Sequence, residues 1–325
     1  MTAYGRFTTV GQVLDWWSSR LSQNRSKSQR YRATVASLVD RQLKPRIGGE
    51  KVKRLSKATI DDKLVWPMQQ VLSPHTVHKA LQCLLQALVL AERQGRIDSN
   101  PLATSSWKDY WTGKLPPRPA KLKPSDAWAL VPTLCKVFEQ DPVAGMLALT
   151  MLAHGTRIGE TCLQRWDEIS IPDRTWTIPG PNTKNGETLV VPLTEQYIAL
   201  LSRYRELQHP ARRSSPWVLA MANGDRLSDS QASALFRKIS GRQWTSHDLR
   251  KLARTTWTEI GIDYLVGELM LNHSMGKLAS TYIKTTVDSA RLAAAKQWHA
   301  WLDERGFAAA HGAKNIEISF SKTDA

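Results

Sequence analysis

The stretch DPVAGMLALTMLAHGTRIGE, residues 141–160, decides how the rest of the chain is read. Its Asp-Pro opening offers a cap and then a proline in the first helical turn, where a missing N–H does no harm. VAGMLALTML, at 143–152, is almost wholly apolar, so a helix here must be packed on every side. Gly155 is the natural stop. Immediately beyond lie Arg157 and, three residues on, Glu160. A fully buried helix that delivers an arginine and a carboxylate at its exit is the centre of a sizeable domain, with polar chemistry at one end.

Downstream of Trp166 the apolar period shifts from about 3.6 to about 2. EISI, RTWTI and TLVVPL read as three short strands, the last two joined by a loop with Lys184, Asn185 and Gly186, and Asn-Gly is a turn signal. Helices are predicted to resume at Thr194, at Ser228 with Gln231 as a capping box, near Ser246, and from about Asp288 to Glu304. Upstream, Ser125 is a cap for a helix that Pro132 is placed to interrupt. Before that, YWTGKLPPRPAKLKP at 110–124 reads as a stiff, basic connector.

The N-terminal third is predicted to be helical. Val10, Val13, Leu14, Trp17 and Leu21 share one helical face, and Tyr31, Val35, Leu38 and Val39 repeat the pattern. A further short helix is expected near Thr59. Another begins at Ser73-Pro74, runs through Val77, Leu81, Leu84, Leu85 and Leu88, and stops at Gly95. Between the second and the last, KPRIGGEKVKR carries positive charge with no evident apolar face. The expected organisation is a helical unit over 1–111, a linker over 112–124, a second unit over 125–302 and a tail over 303–325. The fold class is mainly α with one small antiparallel sheet.

Lys and Arg number 45 against 29 acidic residues, a net charge of +16 spread through periodic segments, which favours a polyanion as partner. No apolar run of about 18 residues suggests a membrane span, and the opening residues do not resemble a secretory signal. Three cysteines, Cys83, Cys135 and Cys162, fall singly in apolar helical patterns and read as buried thiols of a cytoplasmic protein. Most of the thirteen tryptophans are expected in the core. His75 and His78 have metal-like spacing, but on an apolar-faced helix they read as exposed or packed. No P-loop or carboxylate cluster is present, and no cofactor is expected.

Four segments carry residues that handle phosphate: HGTRIGE with Arg157 and Glu160, TKNG with Lys184, SHDLRKLART with His247 and Arg250 on one helical face, and LNHSMGKLASTYI with His273 and Tyr282. Singly, each has an ordinary reading as a surface pair, a solvated lysine or a core tyrosine. Together, in this order and spacing, they resemble the tyrosine recombinase family of phage integrases, Xer-type resolvases and plasmid enzymes. The resemblance covers most of residues 125–302 and reaches GRIDSNP at 95–101, which is similar to the end of a family core-binding domain. His154 and Asn272 depart from common family residues, Asn272 standing where glycine is frequent. No separate arm-binding domain is evident before the first helical pattern.

The resemblance implies a C-shaped clamp on double-stranded DNA with specific sites, a homo-tetramer, a Holliday junction and, in some members, an accessory DNA-bending protein. It implies Arg157 and Arg250 on the phosphate with His273, Tyr282 as nucleophile, Lys184 as general acid to the leaving 5′-hydroxyl, and His247 as proton acceptor, with Glu160 in support. Base contacts are expected around Arg25, Lys27 and Arg30. The family tail docks on a neighbouring subunit. Such a protein acts in bacterial cytoplasm, nucleoid-associated or encoded by phage or plasmid. A type IB topoisomerase and a non-catalytic DNA-binding regulator are the other readings.

Overall fold

The computed structural model describes residues 6–115, 119–273 and 287–312. The chain divides between Arg118 and Pro119 into two compact units. In the first, Thr9 and Gln12 form a reciprocal capping box that starts α1, Val10–Ser22, and Val10, Val13, Leu14 and Trp17 turn inward. Helix α2, Gln29–Leu38, starts from Ser28 and does not stop at its end. It passes through a π-turn, Val39–Leu43, into Lys44–Ile47. The extra residue of the π-turn re-aims the helix, so Leu43 and Ile47 stay on the inner side. KPRIGGEKVKR therefore does serve the core, contrary to the sequence expectation: Ile47 is 1% and Val52 2% exposed. Helical turns run from Lys57 to Gln69, and α3, Pro74–Arg93, lays Val77, Ala80, Leu81, Leu84, Ala87, Leu88 and Ala91 along one face. Each of these larger side chains contributes roughly 1.5–3 kcal/mol through burial. His78 packs edge-on against Trp107. Arg25, Lys27 and Arg30 stand exposed between α1 and the first turn of α2.

In the second unit, α4, Ala127–Gln140, runs straight through Pro132. The carbonyl that loses its N–H partner belongs to Trp128, which is exposed, so water can serve it and the helix is not interrupted. Helix α5, Pro142–His154, is capped by Asp141 and buried from Val143 to His154. It lies so close to α4 that a Cβ at Gly145 would meet the Phe138 backbone at 2.2 Å. Gly155 then takes φ 62°, the left-handed conformation open to glycine.

The short α6, Ile158–Cys162, follows. Then come strands β1 (Ile169–Ser170), β2 (Thr175–Ile178) and β3 (Leu189–Pro192), antiparallel in that order. Trp176, opposite Val191, is the fully buried residue of the sheet. Helices α7 (Glu195–Leu207), α8 (Asp229–Ile239), α9 (Ser246–Glu259) and α10 (Tyr264–Met270) complete the body. The Ser228–Gln231 box caps α8 as its sequence implies.

Two helices follow, α11 (Val287–Asp303) and α12 (Ala308–His311). Both pack into this chain's own core. Ala294, Ala295, Trp298, Leu302, Phe307 and Ala310 are buried with α4, α5 and α7. Arg203 donates to the carbonyls of Ala309 and Ala310 at 2.5 and 2.8 Å. The body thus extends past residue 303, because Phe307 and Ala310 are apolar anchors among otherwise small residues.

The last carbonyls of α5 show how the site is built. A helix end leaves carbonyls without partners and carries partial negative charge. Here side chains take them: Trp298 Nε1 donates to Leu152 at 3.1 Å and His299 Nε2 to Ala153 at 3.0 Å. Arg250 Nη1 donates to Gly155 at 2.6 Å. Among the described residues no helix is long and apolar enough to cross a membrane. Cys83, Cys135 and Cys162 are buried free thiols.

Candidate active site

Arg250 is the hub. It sits mid-way along α9, 4% exposed, and besides Gly155 it donates Nη2 to the Leu271 carbonyl at 2.7 Å. The same nitrogen is 3.1 Å from His273 Nε2. Burial, and then the charge of Arg157, pull its guanidinium down to about 10, so it stays charged at neutral pH. Gly155 has to be glycine here: besides its φ, an added Cβ would stand 2.9 Å from Leu271 and 3.0 Å from Trp257.

Arg157 enters from the start of α6. Glu160, 3% exposed, accepts the Arg157 backbone N–H at 2.8 Å and its Nη1 at 2.6 Å. The carboxylate thereby caps α6 and aims the guanidinium, leaving the side chain 26% exposed. One turn before Arg250 on α9, His247 is exposed. Partial desolvation, then the charges of Lys251 and Arg250, hold its imidazole below its ordinary value, with Arg157 adding to the effect. Both arginines and His247 therefore act within one electrostatic neighbourhood.

His273 follows α10 and is fixed through its other nitrogen: Nδ1 lies 2.5 Å from Glu268 Oε2. Glu268 Oε1 accepts Arg254 Nε at 2.8 Å, and Arg254 lies one turn after Arg250 on α9. Next to His273, Asn272 has φ 51°, which accounts for the frequency of glycine at this position and for the tolerance of asparagine.

The Asn272 amide reaches the β2–β3 loop, where Asn185 and Asn272 exchange hydrogen bonds at 3.0 and 3.2 Å. Asn272 Nδ2 also donates to the Glu187 carbonyl at 3.1 Å. Lys184, exposed, thus sits on a loop clipped to the segment that carries His273. Tyr282 lies outside the described residues.

The structure brings Arg157, Glu160, His247, Arg250 and His273 together and ties the Lys184 loop to them. Sequence reasoning missed Glu268, Arg254 and the asparagine clip. Arg254 could have been flagged by its i+4 spacing from Arg250. Glu268 carried no signal, being an ordinary glutamate in a short helix.

A model of the phage integrase family matches residues 122–288, just over half of the 325-residue chain. The chain belongs to that family. It is 26% identical over 262 residues to prophage integrase IntA of Escherichia coli (strain K12), a match covering 79% of this chain and 60% of that relative's length.

Solved structures share the fold. A Tn1549 transposon integrase fragment in complex with a circular intermediate DNA superposes with a TM-score of 0.69 at 16% identity, covering 88% of this chain and 98% of that one. A lambda integrase dimer bound to a core site gives 0.65 at 18%, covering 85% and 77%. A lambda integrase tetramer bound to a Holliday junction gives 0.64 at 18%, covering 84% and 76%.

Proposed function

We propose that this protein is a tyrosine site-specific recombinase that cuts and rejoins double-stranded DNA at specific sites. The observation that carries this reading is the convergence of a buried, charged Arg250 with Arg157, His247 and His273 on one surface of the second unit. A phosphodiester presents two anionic oxygens, and its transition state gathers more charge there. Fixed, always-charged guanidinium forks are suited to that charge.

In the proposed reaction the Tyr282 oxygen attacks phosphorus and the bond to the 5′-oxygen breaks, giving a 3′-phosphotyrosine and a free 5′-hydroxyl. His247, held towards its neutral form, accepts the phenol proton. Lys184 protonates the leaving oxygen. A 5′-hydroxyl of the partner duplex then reverses the step, releasing Tyr282 and resealing the strand. One phosphoester replaces another throughout, so no energy source is needed. Glu160 orients Arg157.

The first unit, with Arg25, Lys27 and Arg30 exposed, contributes DNA contacts. Base edges read there set the site, and phosphate contacts set the affinity. The structural relatives bound to a core site, a circular intermediate and a Holliday junction support a tetramer that exchanges strands through such a junction. An accessory DNA-bending protein in some reactions is proposed on the family resemblance alone. The setting is bacterial cytoplasm, on a mobile element's DNA.

The test is to trap the covalent complex on nicked duplexes of random sequence and to sequence the joined DNA. Tyr282→Phe is expected to abolish the complex while DNA binding remains. Tyr264→Phe, at an exposed tyrosine under Arg254, is expected to keep it. A dead Tyr264→Phe would refute the nucleophile. Relaxation of a supercoiled plasmid without a selected site would favour a type IB topoisomerase instead, and DNA binding without any covalent complex would favour a regulator.

A further inference from the structure

The ring of His273 is held by more than its place in the chain. A guanidinium has only donors, so His273 Nε2, 3.1 Å from Arg250 Nη2, accepts there. The ring hydrogen then sits on Nδ1, where Glu268 Oε2 accepts it at 2.5 Å. Glu268 is itself fastened: its second oxygen takes Arg254 Nε at 2.8 Å. Arg254 Nη1 donates to Thr258 Oγ1 at 2.6 Å, and its guanidinium lies 4.7 Å over the Tyr264 ring. The side chains of Arg254 and Glu268 are each 17% exposed, against 41% for His273. The imidazole is therefore clamped at Nδ1 and meets Arg250 at Nε2, with part of the ring open to solvent. Burial pushes the Glu268 carboxyl up, but the hydrogen bonds from His273 and Arg254 hold it below its ordinary value, so it is an anion.

Resting on the recombinase reading, we propose that Glu268 is the positioning residue for His273, holding Nε2 towards the phosphate held by Arg250 and supplying the charge that lets the ring become a double donor. The chemistry follows from counting hydrogens. A phosphoryl oxygen that takes the Arg250 Nη2 hydrogen leaves Nε2 without a donor and facing an anion. To bond that oxygen, Nε2 must carry a hydrogen of its own. The Nδ1 hydrogen is already committed to Glu268, so the ring takes one proton from solvent as the phosphate enters, and the adjacent carboxylate offsets its charge. Arg254 keeps that carboxylate from turning away to pair with Arg250 directly. An ordinary surface glutamate would need none of these partners.

The test uses the full chain and the nicked duplex recovered by covalent trapping. Glu268→Gln keeps the shape and removes the charge. It is expected to slow single-turnover formation of the covalent complex about 10- to 100-fold, the range seen when a group orienting a histidine is lost. It is also expected to move the alkaline limb of the rate profile to lower pH, with DNA affinity within about twofold. Glu268→Asp should restore the limb and part of the rate.

A Glu268→Gln profile that superimposes on wild type, or that falls uniformly with pH, would overturn the assignment. A second arm needs no DNA chemistry: nitrogen NMR of His273 in the DNA-free full chain, at a pH where the ring is neutral. Wild type should carry its hydrogen on Nδ1, and Glu268→Gln a mixture of tautomers. A wild-type ring protonated on Nε2 overturns the positioning role even if the chain proves to be no recombinase. An Nδ1-protonated ring in a wild type that never forms a covalent complex removes the recombinase reading alone.

Discussion

Two groups of polar side chains meet the C-terminal end of α5, and burial has opposite consequences in them. On one side Arg250 donates to the Gly155 carbonyl. On the other His299 donates to the Ala153 carbonyl, with Thr194 Oγ1 2.5 Å from its Nδ1, and His154 stacks edge-on against Tyr197 and His299. Burial disfavours the charged form in both places. Arg250 starts from 12.5 and comes down to about 10, so it remains a cation. His299 starts from 6.5 and comes down to about 4, and His154 is also held well below its ordinary value, by burial and by His299. Both histidines are therefore neutral. One group keeps a buried charge; the other is made of rings that must not charge.

The sharpest way to break this contrast is to spoil the charged side. Arg250→Lys leaves a cation but loses the planar fork whose two nitrogens reach Gly155 and Leu271 separately. Covalent-complex formation is expected to fall by on the order of 10²–10³-fold, measured in single turnover. A variant within a few-fold of wild type would show that the fork is not what matters.

The neutral side is tested by acid. The folded pKa of His299 lies below that of the unfolded chain, so its contribution is fully present above pH 6.5 and is lost as pH falls towards about 4. Across that window the loss is about 3 kcal/mol from His299 alone. Urea midpoints at pH 7 and pH 5 should register it. His154→Phe removes a buried Nε2 that has no hydrogen-bond partner among the described residues, while keeping a ring against Trp176 and Tyr197. It is expected to flatten the acid slope and to leave stability at pH 7 within about 1 kcal/mol. An unchanged slope would mean that His154 is not one of the acid-sensitive groups.

The smallest effect is expected at the edge of the charged group. Asn272→Gly suits φ 51° and should change stability by less than about 0.5 kcal/mol. It removes the side-chain hydrogen bonds to Asn185 and Glu187, so amide exchange over residues 183–187 should quicken by about tenfold. Exchange as slow as in wild type would show that the loop is held by other means.

How much of this could be read beforehand depended on whether a residue acts within its own segment. The buried α5, the Ser228 box and the three strands follow from local period and capping, and they were legible. The grouping of Arg157, Glu160, His247, Arg250 and His273 was legible through family order, because those residue types recur at set spacings. What stayed hidden joins distant segments by partner choice. Glu268 matters because Arg254, on another helix, holds one of its oxygens. Ile47 reaches the core through a π-turn that no apolar repeat announces. Pro132 is tolerated because Trp128, whose carbonyl it orphans, is an exposed residue, a fact of exposure rather than of sequence. Phe307 and Ala310 anchor α12 although too few apolar residues lie there to make a pattern.

The embedding of α11 has a kinetic meaning. Before it, His273 is fastened to Glu268 and Arg250, and within it Trp298 and His299 are bonded to α5. In sequence, Tyr282 falls between those two anchors, nine residues after His273. A group on a short tether meets its target at an effective concentration in the millimolar range, whatever the concentration of the protein. Under the proposed chemistry, the strand whose phosphate Arg250 holds is cut at a rate independent of dilution. Dilution then acts on the encounters of protein with DNA and of one subunit with another, not on the cut itself.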